Sequence, residues 1–96
     1  MFIKKIKWTI YIIETHSGKY YTGVTTDIER RFTEHLSSKK GAKFFNTSLP
    51  KRIVYVEHAP NRSMAQMREA TIKKMNRTQK KVLINLNREK KIESVN

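Results

Sequence analysis

Tyr11, Tyr20 and Tyr21 fall on two short β-rich runs, and the helix pattern directly after them carries Arg30, Arg31 and His35. At about 100° per residue, Ile28, Phe32 and Leu36 form the apolar stripe of that helix. Arg31 and His35 fall at the stripe's margin, whereas Arg30 and Glu34 point away. A guanidinium at the edge of an apolar face is costly to desolvate unless something pairs with it. A phosphate is one such partner; alternatively, the Arg31 stem covers apolar surface while its head stays in water.

A carboxylate shows the complementary pattern. Ala65, Glu69 and Ile72 share a helical face at i, i+4 and i+7, so Glu69 sits in an apolar register. Asp27 and Glu29 begin a helix, Glu34 lies on a solvent face, Glu14 borders a turn, and Glu89 and Glu93 are in the tail, which leaves Glu57 as the one competing inward carboxylate. Glu69 is either the partner of an arginine in a structural ion pair or a ligand for a divalent metal. With no cysteine, and with His16, His35 and His58 lacking ligand spacing, that metal is Mg²⁺ or Mn²⁺, which accepts one carboxylate together with waters and substrate phosphate.

These side chains need a frame. Trp8 to Ile13 and Lys19 to Val24 read as strands joined by "ETHSG", with Gly18 supplying the positive φ of the turn. Helix one is predicted from about Asp27 to Ser37, with Thr26 and Glu29 at capping-box spacing. "SKKGAKFFNTSLP" reads as a basic loop, and "KRIVYVEH" as a third strand. Ser63 and Gln66 give a second capping box for a helix to about Met75, and a short third helix starts at Thr78 and packs through Val82, Leu83 and Leu86. The expected fold is α+β, a small three-stranded antiparallel sheet flanked by helices in the order ββαβαα. One domain spans residues 1–96, with its core over about 8–86 and a basic flexible tail over about 88–96.

Twenty-one Lys and Arg against eight Asp and Glu leave a formal charge of +13, the electrostatic footprint of a protein that binds polyanions. Lys39, Lys40, Lys43, Lys51 and Arg52 are placed to follow a phosphate backbone. No apolar run approaches the roughly 20 residues of a membrane helix, and the absence of cysteine fits a reducing, cytoplasmic setting. A nucleic acid, DNA or RNA, is the expected partner class, with no membrane.

"TIY" at Thr9 to Tyr11, "YTG" at Tyr21 to Gly23, Arg31, His35 one turn later, and Glu69 in a following helix resemble, in that order, the signature of the GIY-YIG nuclease superfamily. The resemblance is nearest to its short standalone bacterial members. It implies a compact domain that cleaves DNA phosphodiester bonds with a divalent metal, in repair, recombination or processing of DNA. The implied catalytic set is Tyr11, Tyr21, Arg31, His35 and Glu69, with Glu69 on the metal and Gly23 as the structural glycine of the motif. The resemblance selects Tyr11 and Tyr21 as a pair, and side-chain alternation sends Tyr20 to the other face as a packing residue.

Thr9 and Thr22 replace motif residues that supply no chemistry. Val24 stands where repair nucleases carry a lysine, and Asn85 is the nearest counterpart of an asparagine found late in several members. The resemblance leaves open whether Tyr11, Tyr21 or His35 is the general base. It also leaves two rival readings: a non-catalytic nucleic-acid-binding module of the same fold, and a basic accessory protein of a ribonucleoprotein. A protein partner for targeting is compatible with each.

Overall fold

The computed structural model describes residues 7–37 and 42–95. Its strands are β1 (Trp8–Thr15), β2 (Tyr20–Thr25) and β3 (Pro50–Ala59), arranged β2-β1-β3 with both pairings antiparallel. The helices are α1 (Ile28–Ser37), α2 (Arg62–Lys73) and α3 (Arg77–Val95), so the α+β order ββαβαα is the one expected from the sequence. β1 is central because its β-branched run has apolar residues on both sides of the pleat: Ile10, Ile12 and Ile13 are all fully buried. Gly18, at φ 85°, closes the β1–β2 turn as its residue type demands.

The two faces of this sheet bury different things. Ile10 and Ile12 pack with Ala65 and Ile72 of α2, Ile84 of α3 and Tyr55 of β3. Tyr11 and Ile13 pack on the other side with Tyr21, with Ile28 and Phe32 of α1, and with Phe45. Phe45 belongs to a short 3-10 helix, Lys43–Asn46, within the stretch read from sequence as loop. Its burial anchors that segment, an effect that Gly, Ser and Asn around it conceal at the level of composition.

At each helix start an Asp or Asn near the expected residue takes the cap. Asp27 caps α1 by accepting the Arg30 N–H at 3.1 Å, Asn61 caps α2 by accepting the Met64 N–H at 2.9 Å, and Asn76 accepts the Gln79 N–H at 2.8 Å at the start of α3. Thr26, Ser63 and Thr78 were the expected starts; an Asp or Asn one or two residues away takes the cap, consistent with its strong preference for that position. α3 also runs on through the stretch expected to be a loose tail, because "REKKIESV" consists largely of good helix formers and contains no Gly or Pro. Within α1, Leu36 is 46% exposed and His35 is fully buried, so the inward stripe runs through Ile28, Phe32 and His35 instead of ending at Leu36.

Candidate active site

Tyr11 and Gly23 are direct partners across the β1–β2 ladder. The Tyr11 ring lies over the glycine: a Cβ at position 23 would stand 2.5 Å from the Tyr11 Cζ. Gly23 is therefore required by close approach of a ring and not by its backbone angle. Tyr21 lies two residues before Gly23 on the same face, with its ring 6.2 Å from that of Tyr11. Tyr20 turns to the opposite face, where it packs beneath α2 and α3.

His35 reaches into this pair from α1. Its Nε2 is 3.0 Å from the Tyr11 hydroxyl, and its Nδ1 accepts the Ala42 backbone N–H at 3.2 Å. Because Nδ1 accepts, the neutral ring carries its proton on Nε2 and donates it to the Tyr11 oxygen. Burial, reinforced by the charge of Arg31, pushes the imidazole down to about 4, so it is neutral near pH 7. Both ring nitrogens are thus engaged inside the protein, and the ring is wedged between Tyr21 and Phe45 at 5.2 and 4.5 Å.

Arg31 completes the cluster. Its guanidinium hydrogen-bonds the Tyr11 hydroxyl and donates to Glu34 Oε1 at 3.1 Å. Burial works against its charge, but the bonds with Glu34 and Tyr11 outweigh that and hold it firmly protonated. Glu34, expected on the solvent face, is drawn in as this partner. The Tyr11 oxygen therefore receives donors from Arg31 and His35, which leaves its own O–H to be given elsewhere. Burial nonetheless raises Tyr11 well above the ordinary phenol range, and the neighbouring Tyr21 phenol adds to this, so the Tyr11 phenol is protonated near pH 7.

Glu69 comes from α2, whose buried residues Ala65 and Ile72 belong to the other face of the sheet. Its negative charge still acts on the Tyr11 phenol, and it pairs with Lys73 at 3.4 Å. The Glu69 side chain is 22% exposed, so solvent and substrate have access to it. No group of three or more His, Asp or Glu is gathered among the described residues. One accessible carboxylate fits Mg²⁺ or Mn²⁺, which bind proteins through one or two carboxylates and keep waters and substrate oxygens.

Glu57, the competing carboxylate, pairs with Ile10 in the ladder and so faces away from Tyr11. There it accepts from the Tyr55 hydroxyl and from Arg68 Nε, at 3.1 and 3.0 Å to its two oxygens. Lys43, Lys51 and Arg52 are exposed; Arg52 is held by Glu14 at 2.8 Å, which partly neutralises it. Lys39 and Lys40 lie outside the described residues, and Asn85 is exposed on α3. Sequence reasoning missed Phe44 and Phe45, whose rings stand 5.4 and 4.9 Å from Tyr21. An adjacent aromatic pair inside a basic loop was the available signal.

Residues 7–82 match the family model described as the GIY-YIG catalytic domain. A UPF0213 protein of Desulfotalea psychrophila is 44% identical over 77 residues, covering 80% of this chain and 70% of the relative. One from Syntrophus aciditrophicus is 42% identical over 81 residues, covering 84% and 93%. The solution NMR structure of a UPF0213 protein from Bacillus halodurans superposes with a TM-score of 0.54 at 36% identity, covering 83% of this chain and 84% of that one. No helix among the described residues is long and apolar enough to cross a membrane. With the Tyr11–Gly23 pairing, the Arg31 and His35 donors and these matches taken together, the chain belongs to the GIY-YIG family, carries its nuclease-type catalytic domain and has the UPF0213 proteins as its relatives.

Proposed function

We propose that this protein is a metal-dependent endonuclease that hydrolyses DNA phosphodiester bonds, in repair, recombination or processing of DNA in the cytoplasm. The observation that carries this reading is the convergence of Arg31 and His35 on one phenol oxygen beside a second phenol and an accessible carboxylate. Glu69 would hold the Mg²⁺ or Mn²⁺, which when bound offsets charge on the scissile phosphate and draws its oxygens into position. Arg31 stabilises charge developing on the phosphoryl oxygens, held at the correct angle by Glu34 and Tyr11.

The two phenols divide the remaining work by exposure. Tyr11 is 1% exposed, so it orders Arg31 and His35 and does not itself meet solvent. Tyr21 is only partly buried and takes the position facing the attacking water, which its hydroxyl orients by hydrogen bonding beside the Arg31 charge. His35, saturated at both nitrogens, is a positioning residue for Tyr11. Lys43 and Lys51 supply affinity for the backbone without sequence information.

Incubating purified protein with duplex, nicked, branched and single-stranded DNA, in Mg²⁺, Mn²⁺ or EDTA, tests this reading. Cleavage that EDTA abolishes is the expected result; intact DNA in every condition overturns it. The alternative, a binding module without turnover, draws on the pairing of Glu69 with Lys73, which offsets part of the charge a metal needs. It predicts binding that metal does not alter.

A further inference from the structure

Lys19, Tyr20, Phe44, Arg77 and Lys80 line a cavity of about 270 Å³ where the β1–β2 turn, the 3-10 helix and the first turn of α3 meet. Its volume is several times the roughly 30 Å³ share of one water. Among the described residues the lining consists of two aromatic rings and three cations, with no acid. Arg77 is held in place, its guanidinium 4.9 Å over the Tyr20 ring and bonded to the Gly18 carbonyl. The Phe44 side remains open, with the residue 37% exposed.

The charge placement is unfavourable for the protein alone. Arg77 and Lys80 occupy the first turn of α3, where the helix dipole is positive and no acidic residue is present. Lys73 adds a further like charge near Lys80, and burial and that repulsion together lower the Lys80 ammonium. An anion seated there relieves all of these at once.

The cavity adjoins the catalytic cluster from two sides. Phe44 touches Tyr21, with ring centroids 5.4 Å apart. Lys73 pairs with Glu69 at 3.4 Å, and its charge also acts on Lys80. A strand whose phosphate engaged Tyr21 would therefore pass Phe44 with a neighbouring nucleotide.

We propose that this cavity is a subsite for an unpaired nucleotide flanking the scissile phosphate, with its base stacked on Phe44 and its phosphate held by Arg77 and Lys80. The base must be unpaired because an aromatic platform needs a free base face, which a stacked duplex does not offer. The proposal rests on the nucleic-acid reading of the adjacent site and specifies its substrate as one with a single-stranded segment.

The test uses fluorescence anisotropy in EDTA with a DNA hairpin carrying a four-nucleotide single-stranded tail, so that the junction fixes the register. In a series of such hairpins, each tail base in turn is replaced by an abasic tetrahydrofuran. One position should weaken binding roughly tenfold, the scale of one lost base–aromatic stack, while the others change it less than about twofold. Phe44→Leu, which keeps apolar packing against Tyr21 and Phe45, should level the series, and Phe44→Trp should restore it. Arg77→Gln and Lys80→Gln should each reduce the salt slope by about 0.7. A flat abasic series in the wild type, or a penalty unchanged in Phe44→Leu, overturns the subsite. Metal-dependent cleavage with a flat series overturns the subsite alone, whereas a Phe44-dependent penalty without any cleavage supports the subsite and overturns the nuclease.

Discussion

The two faces of the sheet carry nearly the same side-chain types arranged to opposite ends. On the α2 and α3 face, Tyr55 donates to Glu57 and Arg68 grips both oxygens of the same carboxylate, so phenol, acid and guanidinium close on one another. On the α1 face, Arg31 and His35 donate to the Tyr11 oxygen, and the carboxylate that acts on it, Glu69, stands apart on α2, paired with Lys73. A closed network satisfies its members and stiffens the fold. An open one leaves the acid outside the cluster, where on the proposed reading a metal and a phosphate would join it, and the difference between the two networks lies in where the acid stands.

The largest test of this contrast exchanges the two acids for their amides. Glu69→Gln should lower cleavage by about 10³-fold, since an amide lacks the charge that a hard cation requires. Its stability should change by under about 0.5 kcal/mol, because Glu69–Lys73 is an i,i+4 pair whose lysine is 54% exposed. Glu57→Gln should behave in reverse, losing about 1–2 kcal/mol in urea unfolding while cleavage stays within about twofold. Full activity in Glu69→Gln would break the comparison.

Arg31→Ala should reduce cleavage by about 10²-fold or more, the scale of losing one preorganised donor to a developing charge. Arg30→Ala, on the exposed side of α1, should change cleavage less than about twofold and shift only the salt dependence of DNA binding. Equal losses in steady-state rates for the two variants would mean that the inward face of α1 has no special part in the reaction.

Gly23→Ala forces a methyl into the Tyr11 ring. It should cost about 1–3 kcal/mol of stability through overpacking, and displace the phenol oxygen from Arg31 and His35. Thermal unfolding and cleavage should therefore fall together, unlike in either acid variant. A stable, fully active Gly23→Ala would show that the Tyr11 ring can move without consequence.

The smallest effect is a dependence on pH. His35 is held down to about 4 in the folded chain against an ordinary 6.5 when unfolded. The unfolded state therefore binds the proton first, so the His35 contribution is complete above about pH 6.5 and is lost as pH falls toward about 4. The loss should amount to about 1–3 kcal/mol in urea titrations across that window, and His35→Gln should flatten it.

Much of the frame was legible because it rests on short-range rules. Alternation along β1, Gly18 in a turn, and a polar break before each helix are local, and the three strands and three helices follow from them. The expected caps lie one residue early in α1 and two residues late in α2 and α3, because Asp27, Asn61 and Asn76 compete locally with Thr26, Ser63 and Thr78, and pattern alone does not rank neighbouring caps. The α1 stripe was read through Leu36 because hydrophobicity favours Leu over His, whereas the Tyr11 oxygen and the Ala42 N–H make a buried imidazole satisfiable.

The sequence by itself determined the residue types, their order, the antiparallel α+β frame and a charge that calls for a polyanion, since these depend on composition and on neighbours a few positions apart. Only the tertiary structure decided that Tyr11 is sealed while Tyr21 is accessible, that Glu34 rather than solvent holds Arg31, and that Glu57 closes its network while Glu69 stays open. Those outcomes depend on which face of the sheet each helix covers and on where chain segments far apart in sequence meet. Burial, hydrogen bonding and the field at a side chain are set by that packing and not by its neighbours along the chain.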